Sequence, residues 1–298
     1  MALDTYPLAR RLPIVAALWA AASGAIAAPT VSQLTLTPAL VEAGSPELIR
    51  VEAPPDAQVD GEWLNRKLLF FHGPMSRAWF ALAGVDVEAA AGLSTLHVTV
   101  KLPEGAVRDL SRTVHIRPAH YRTSSLSVAP KFVEPGPEEL KQIEADKQLK
   151  AKIFAASAPE PEWSGRFLAP VQAAPTDSFG TRRMFNGKLA SIHMGEDFRA
   201  AAGTVVRAAN SGTVVLARPL YYEGNCVIVD HGLGLFTLSM HFSRIDVKEG
   251  QRVTQGEKLG LSGATGRVTG PHLHWAVRWQ GAYLDPAKLL RLNLAVAR

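Results

Sequence analysis

"TGPHLHWAV", Thr269 to Val277, alternates in a way that fixes both a local structure and a question. Side chains at i and i+2 of a β-strand share a face. His272 and His274 therefore look one way, while Leu273, Trp275 and Val277 pack on the other. Two neutral imidazoles side by side in a partly buried place are costly unless they are hydrogen-bonded or hold a cation. The stretch thus predicts a strand with a buried face and a candidate site on the opposite face.

The flanking sequence continues in short strands. "TVVRAANSGTVVLA" predicts a hairpin turning at Asn210-Ser211-Gly212, and "YYEGNCVIVDHG" one turning at Glu223-Gly224-Asn225. "VKEGQRVTQGEKLGLSGATGRVTG" then places glycines at nearly every bend. Upstream, from about Val31 to Arg122, alternating runs such as "LSTLHVTVKL" and "RTVHIRPAHY" are separated by turn signals at "EAGSPE", "PPDAQVDGE" and "LPEGAV". Between the two β regions Pro137 can start a helix, with Glu138 and Glu139 in its first turn and lysines later, as the helix dipole prefers. Pro159 and Pro161 close it, and its charges read as the solvated face of a connector. The expected chain is mostly β. It has a small antiparallel β domain over residues 29–125, a charged helical linker over 126–162 and an antiparallel β-sheet domain over 163–298.

Residues 1–28 read as an export signal. Arg10 and Arg11 precede an apolar, alanine-rich run, and Ala25-Ile26-Ala27 has the small-x-small pattern of a cleavage site. The run is shorter and less apolar than the roughly 20 residues a spanning helix needs, so no stable membrane span is expected after cleavage. The expected location is the periplasm or the exterior. The chain carries +5 at neutral pH; losing Arg10, Arg11 and Asp4 leaves +4, without a dense basic block that would suit nucleic acid. The single Cys226 excludes an internal disulfide and reads as a small apolar strand residue.

Partners for the paired histidines lie upstream. "SIHMGEDFRA" sets His193 and Asp197 four apart, which leaves both on one face of an extended segment that bends at Gly195, with Glu196 pointing the other way. A catalytic zinc takes three protein ligands, commonly two histidines and a carboxylate, and leaves a fourth position to water. His193, Asp197 and one of the two later histidines meet that requirement, and one histidine is left over. In "TLSMHFS", Thr237, Ser239 and His241 share a face. His241 and the spare histidine could flank a metal-bound water, one taking its proton and one stabilising the developing oxyanion; by spacing alone His241 reads equally as a strand-end residue. His97, His115 and His120 have no partners at ligand spacing, His231 sits at a bend, and His72 has no partner in the sequence.

"HMGED", the histidine ending "TLSMH", and "TGPHLHW" together resemble the lysostaphin-like (LytM-type) zinc metallopeptidases, which cut peptide bonds in bacterial peptidoglycan. The resemblance covers about residues 163–290 and includes "FGTRRMFNG", "AAGTVVRAANSGTVVLA", "GNCVIVDHG" and "GATGRVTGPHLH". It implies one Zn²⁺ per chain held by His193, Asp197 and His274, with His241 and His272 as the catalytic pair. It also implies an antiparallel sheet that forms a groove, peptidoglycan peptides as substrate in cross-links or stems, and attack by a metal-bound water. Ser239 stands where family members often carry tyrosine, which bears on specificity. Two other classes are weighed. A non-catalytic module of the same fold that activates another wall hydrolase would be expected to lack the ligands present here. A lipoyl-type carrier leaves the histidines unexplained. The upstream domain could also restrain the enzyme, alone or with a regulatory partner, by folding over the groove.

Overall fold

The computed structural model describes Met1 and residues 33–294, apart from 74–75, 126–134 and 186–187. The expected signal segment, Met1 aside, lies outside the described residues. Among those described, no helix is long and apolar enough to cross a membrane.

The chain is mostly β, as its alternating runs predict. Strands β1 (Leu34–Thr37), β2 (Val41–Glu42), β3 (Pro46–Glu52), β4 (Gln58–Trp63), β5 (Arg66–Leu68), β6 (Ala78–Gly84), β7 (Gly92–Lys101) and β8 (Val107–Arg117) form two sheets, ordered β1-β3-β6 and β2-β8-β7-β4-β5. Period-two burial explains the second sheet: Leu96, Val98 and Val100 of β7 are buried while His97, Thr99 and Lys101 face solvent. His115 and His120 are exposed as well, and His72 stacks on Trp79 at 4.3 Å.

Downstream come β9 (Thr123–Ser125), α1 (Pro137–Phe154), β10 (Pro175–Asp177), β11 (Arg182–Phe185), β12 (Lys188–Ile192), β13 (Glu196–Phe198), β14 (Val205–Arg207), β15 (Gly212–Leu220), β16 (Gly224–Asp230), β17 (Leu235–Ile245), β18 (Arg252–Val253), β19 (Lys258–Ser262), β20 (Leu273–Trp279), β21 (Ala282–Leu284) and α2 (Pro286–Arg291). The main sheet runs β10-β13-β20-β17-β16-β15-β18 with antiparallel neighbours, and β14, β19 and β21 are attached to it. Its odd-numbered face on β20, with Leu273, Trp275, Val277 and Trp279, is buried in the main core. Cys226 is fully buried and unpaired, and burial pushes its thiol up, which keeps it protonated.

Two local expectations are corrected. "TVVRAANSGTVVLA" is not a hairpin: β14 pairs with β19, some 50 residues on, and β15 pairs with β16 and β18. The helix has the expected solvated face, with Glu138, Lys141, Glu144 and Lys147 exposed, but its other side is docked. Leu149, Ile153 and Phe154 of α1 pack on Leu216, Leu220, Ile228, Phe236 and Leu238, against the even-numbered face of the main sheet. Asp146 is buried on α1 and accepts hydrogen bonds from the Gln142 side chain at 2.6 Å and from the Tyr221 N–H at 2.7 Å. Lys150 pairs with Glu223.

The upstream sheets meet the main sheet through a continuous core. Phe71 stands edge-on to Trp163 at 5.6 Å, the Asp285 N–H donates to the Gly44 carbonyl at 2.7 Å, and Lys288 pairs with Glu42 at 2.8 Å. β9 pairs in parallel with β11, so the last strand before residue 126 belongs to a sheet with β11 and β12.

Glu47, beneath this contact, is buried and accepts a hydrogen bond from the Ser45 hydroxyl at 2.7 Å. Burial pushes its carboxyl up to about 8 from an ordinary 4.5. Between pH 4.5 and 8 an unfolded chain therefore releases a proton that the folded chain retains, and stability falls as pH rises through that window. Glu47→Gln is expected to remove this slope. Its melting midpoint should exceed that of the wild type by a few degrees at pH 8, with the difference closing near pH 4, in parallel thermal melts.

Candidate metal centre and groove

Three adjacent strands bring the predicted residues together. In the β13–β20 register Asp197 lies opposite His274, and in the β17–β20 register Met240 does, so all three share the even-numbered face. Glu196 lies opposite Trp275, on the other side, as its alternation predicts; burial pushes its carboxyl up. His193 reaches the same place differently from the expectation. It is not on one extended segment with Asp197, because β12 ends at Ile192 in the sheet with β11, and His193 to Gly195 turn the corner into β13. The buried His193 side chain swings over that corner.

The result is a tight cluster. His193 Nε2 lies 3.1 Å from Asp197 Oδ1 and 2.9 Å from His274 Nδ1, and His274 Nδ1 lies 2.8 Å from the same Asp197 oxygen. The donor chemistry fits a divalent cation. His193 Nδ1 lies 3.0 Å from the Ser178 carbonyl, which only an N–H can satisfy, and this turns Nε2 toward the cluster. Two imidazole nitrogens and one carboxylate oxygen thus converge within 4.8 Å of one another. Burial disfavours charge on both Asp197 and His274. It lowers the His274 imidazole, but on Asp197 it is outweighed by the hydrogen bonds from His193 and His274, which hold that carboxyl well below the usual carboxylate range. One carboxylate between two imidazoles is the ligand set of a catalytic site with three protein donors.

The second tier was not read from the sequence. Arg183 Nη2 bonds Asp197 Oδ2 at 3.1 Å and Asp177 Oδ2 at 2.9 Å, which braces the carboxylate from behind. Gly195 is required by close approach: a Cβ there would lie 2.5 Å from His274 Nε2 and 2.7 Å from the Trp275 carbonyl. Gly195→Ala is expected to displace His274 and weaken binding of a divalent metal about 10- to 100-fold in a competitive chelator titration, the range for losing a group that orients a ligand, with an unchanged far-ultraviolet CD spectrum.

His241 and His272 complete the arrangement. Their rings lie 4.9 Å apart, and His241 is 6.1 Å from the ring of His274. His241 does not share a face with Thr237 and Ser239, as simple alternation predicts. Its φ is +65°, and this left-handed residue turns its side chain out of the strand's odd-numbered face into the groove. Thr237 stays behind, bonded to His231 at 2.8 Å, and Ser239 is buried opposite Trp275. Ser239 therefore has no place in the groove wall, so the expected effect on specificity is corrected. His231, fully buried and held by the Ser211 carbonyl at 2.7 Å, is a structural residue; burial pushes it down to about 4.

These groups line a groove of about 580 Å³, with Asp177, Arg183 and Asp197 on one side and the loop from Arg267 to His272 on the other. Arg122, Thr123 and Ser124, at and beside β9, supply part of the wall. The upstream region flanks the groove.

Residues 191–286 match the model of peptidase family M23. The chain is 40% identical over 123 residues to the peptidoglycan DD-endopeptidase ShyA of Vibrio cholerae, covering 41% of this chain and 28% of that protein. It is 39% identical over 98 residues to the DD-carboxypeptidase/endopeptidase Mpg of Neisseria meningitidis, covering 33% and 23%. The chain thus spans about a quarter of the length of these relatives. A Pseudomonas aeruginosa protein assigned to peptidase M23 superposes with a TM-score of 0.66 at 26% identity, over 84% of this chain and 94% of that one, so the likeness in fold extends to the upstream sheets. Residues 191–286, which span His193, Asp197 and His274, thus form a lysostaphin-like domain of peptidase family M23.

Proposed function

We propose that the chain is a zinc-dependent endopeptidase that hydrolyses peptide bonds of bacterial peptidoglycan outside the cytoplasm. The observation that carries this reading is the convergence of His193, Asp197 and His274 beside a groove that His241 and His272 also line. The three ligands suit zinc, and the groove suits an extended peptide. When bound, zinc supplies Lewis acidity, making water acidic enough to ionise near pH 7 and polarising the scissile carbonyl.

The remaining work falls to the side chains. Burial, with the neighbouring His274 and His272 adding to it, pushes His241 down to about 3, so its imidazole is neutral at pH 7. Its Nδ1–H donates to the Thr265 carbonyl at 2.8 Å, which leaves the Nε2 lone pair to take the proton of the attacking water and pass it to the leaving amine. His272 is oriented in the same manner, with Nδ1 2.9 Å from the Gly270 carbonyl, and its Nε2 is 3.6 Å from Asp197 Oδ1. An N–H at that nitrogen would donate to the oxyanion of the tetrahedral intermediate. Asp177 and Arg183 hold Asp197 in place. Any restraint by the upstream region would act through the wall formed by Arg122, Thr123 and Ser124.

Digestion of purified sacculi by the full chain, with mass spectrometry of what is released, tests the reading. Muropeptides newly split at a peptide amide, each cut adding one water, are expected. Intact peptides on shortened glycan strands, or no release by zinc-loaded protein, would contradict it.

A further inference from the structure

Arg267 is a cation that the chemistry above does not use. It sits in the loop between β19 and β20, two residues after Thr265, whose carbonyl orients His241, and five before His272. Its guanidinium stacks over the Tyr222 ring at 4.5 Å, and its backbone N–H donates to the Tyr222 carbonyl at 2.9 Å. The loop is locked onto the β15–β16 tip. Gly224, at φ +61°, lies so close that a Cβ there would be 2.3 Å from the Thr265 carbonyl carbon. Arg267 is thus half-buried, rigidly presented on the groove, and without an ion-pair partner among the described residues.

The charge balance of the groove points the same way. Four arginines line it, Arg122, Arg183, Arg199 and Arg267, against two carboxylates, Asp177 and Asp197. Arg183 is bonded to both of those carboxylates, so the other three guanidiniums have no carboxylate partner among the described residues. Arg122 is exposed and bonds only the Ser178 hydroxyl at 3.1 Å, and Arg199 is exposed. Two further polar atoms on the groove residues, Ser124 Oγ and Arg183 Nε, are buried without a hydrogen-bond partner in the protein. Both can donate. A groove rich in donors and positive charge, with one guanidinium preorganised by stacking, is built for a ligand rich in acceptors and negative charge.

We propose that Arg267 reads a free carboxylate on the substrate, and that this groove takes anionic peptides with a carboxylate beside the bond to be cut, rather than neutral or amidated bridges. The proposal rests on the endopeptidase reading. A guanidinium held flat over an aromatic ring keeps its N–H edge open for two parallel bonds to a carboxylate, an arrangement a carboxamide matches poorly.

The test uses zinc-loaded full chain and two cross-linked peptides that differ only in a free carboxylate or a carboxamide next to the scissile amide. The wild type is expected to favour the carboxylate about 10- to 100-fold in kcat/KM, the range for hydrogen bonds to a charged group. Arg267→Met, which keeps the stem over Tyr222, should bring that ratio to about one by slowing only the carboxylate peptide, with zinc content and melting midpoint unchanged. Arg267→Lys should recover part of the preference. A wild type that cuts both peptides equally overturns the proposal and leaves the endopeptidase reading standing. A preference that survives in Arg267→Met overturns the assignment to this residue. Failure to cut either peptide overturns the reading on which the proposal rests.

Discussion

His274→Ala is expected to bring bound zinc from about one per chain to a small fraction and to cut peptide hydrolysis by about 10³- to 10⁴-fold. The size follows from the several kcal/mol that a Lewis acid contributes to such a transition state, at about 1.4 kcal/mol for each factor of ten. Losing one nitrogen leaves His193 Nε2 and Asp197 Oδ1, 3.1 Å apart, as an incomplete set. It also removes the 2.8 Å cross-strand contact between His274 Nδ1 of β20 and Asp197 Oδ1 of β13. Zinc should raise the melting midpoint of the wild type and not that of the variant, because only a ligand that binds the folded state shifts that equilibrium. A variant that retains stoichiometric zinc would show that His274 is not a ligand.

His241→Ala is expected to behave in the opposite way with respect to metal. Zinc content should stay near one per chain, because the three convergent donors are untouched, while kcat falls about 10²- to 10⁴-fold, the range for general acid–base catalysis. KM should move little. The left-handed backbone at His241 makes alanine tolerable but strained, so a melting curve is needed beside the kinetics. Asparagine accepts that conformation more readily, and His241→Asn should fold normally and lose the same activity. Activity within threefold of the wild type in both variants would remove His241 from the reaction.

The two effects divide the histidines of the opening stretch. Alternation groups His272 and His274; β20 presents His274 between Asp197 on one strand and Met240 on the other, while His272 stands just ahead of β20 in a bridge to Gly263, and both line the groove. That much was legible because an antiparallel strand with one buried face imposes a strict period of two. The position of His241 was not, since a single residue at φ +65° breaks the period and no sequence signal marks it. His193 was correctly grouped with Asp197 but for an inexact reason: a corner between two sheets, rather than one extended segment, brings them together. The pairing of β14 with β19 escaped local reading because its partner is distant in the chain, and "ANSG" looks like a hairpin turn whether or not the flanking strands pair. The charged sequence of α1 hid a narrow apolar stripe of Leu149, Ile153 and Phe154 together with a buried Asp146. Arg183 and Arg267 lay inside motifs that were recognised as wholes. Their roles depend on Asp197 and Tyr222, which only the folded chain brings near.

The most direct measurement is a zinc titration of the metal-stripped full chain, with fragment release from sacculi read at each point. Release should rise in proportion to added zinc and stop at one ion per chain, with no further gain beyond that ratio. Release that ignores zinc, or the absence of release once one ion per chain is bound, would contradict a single catalytic centre built from His193, Asp197 and His274.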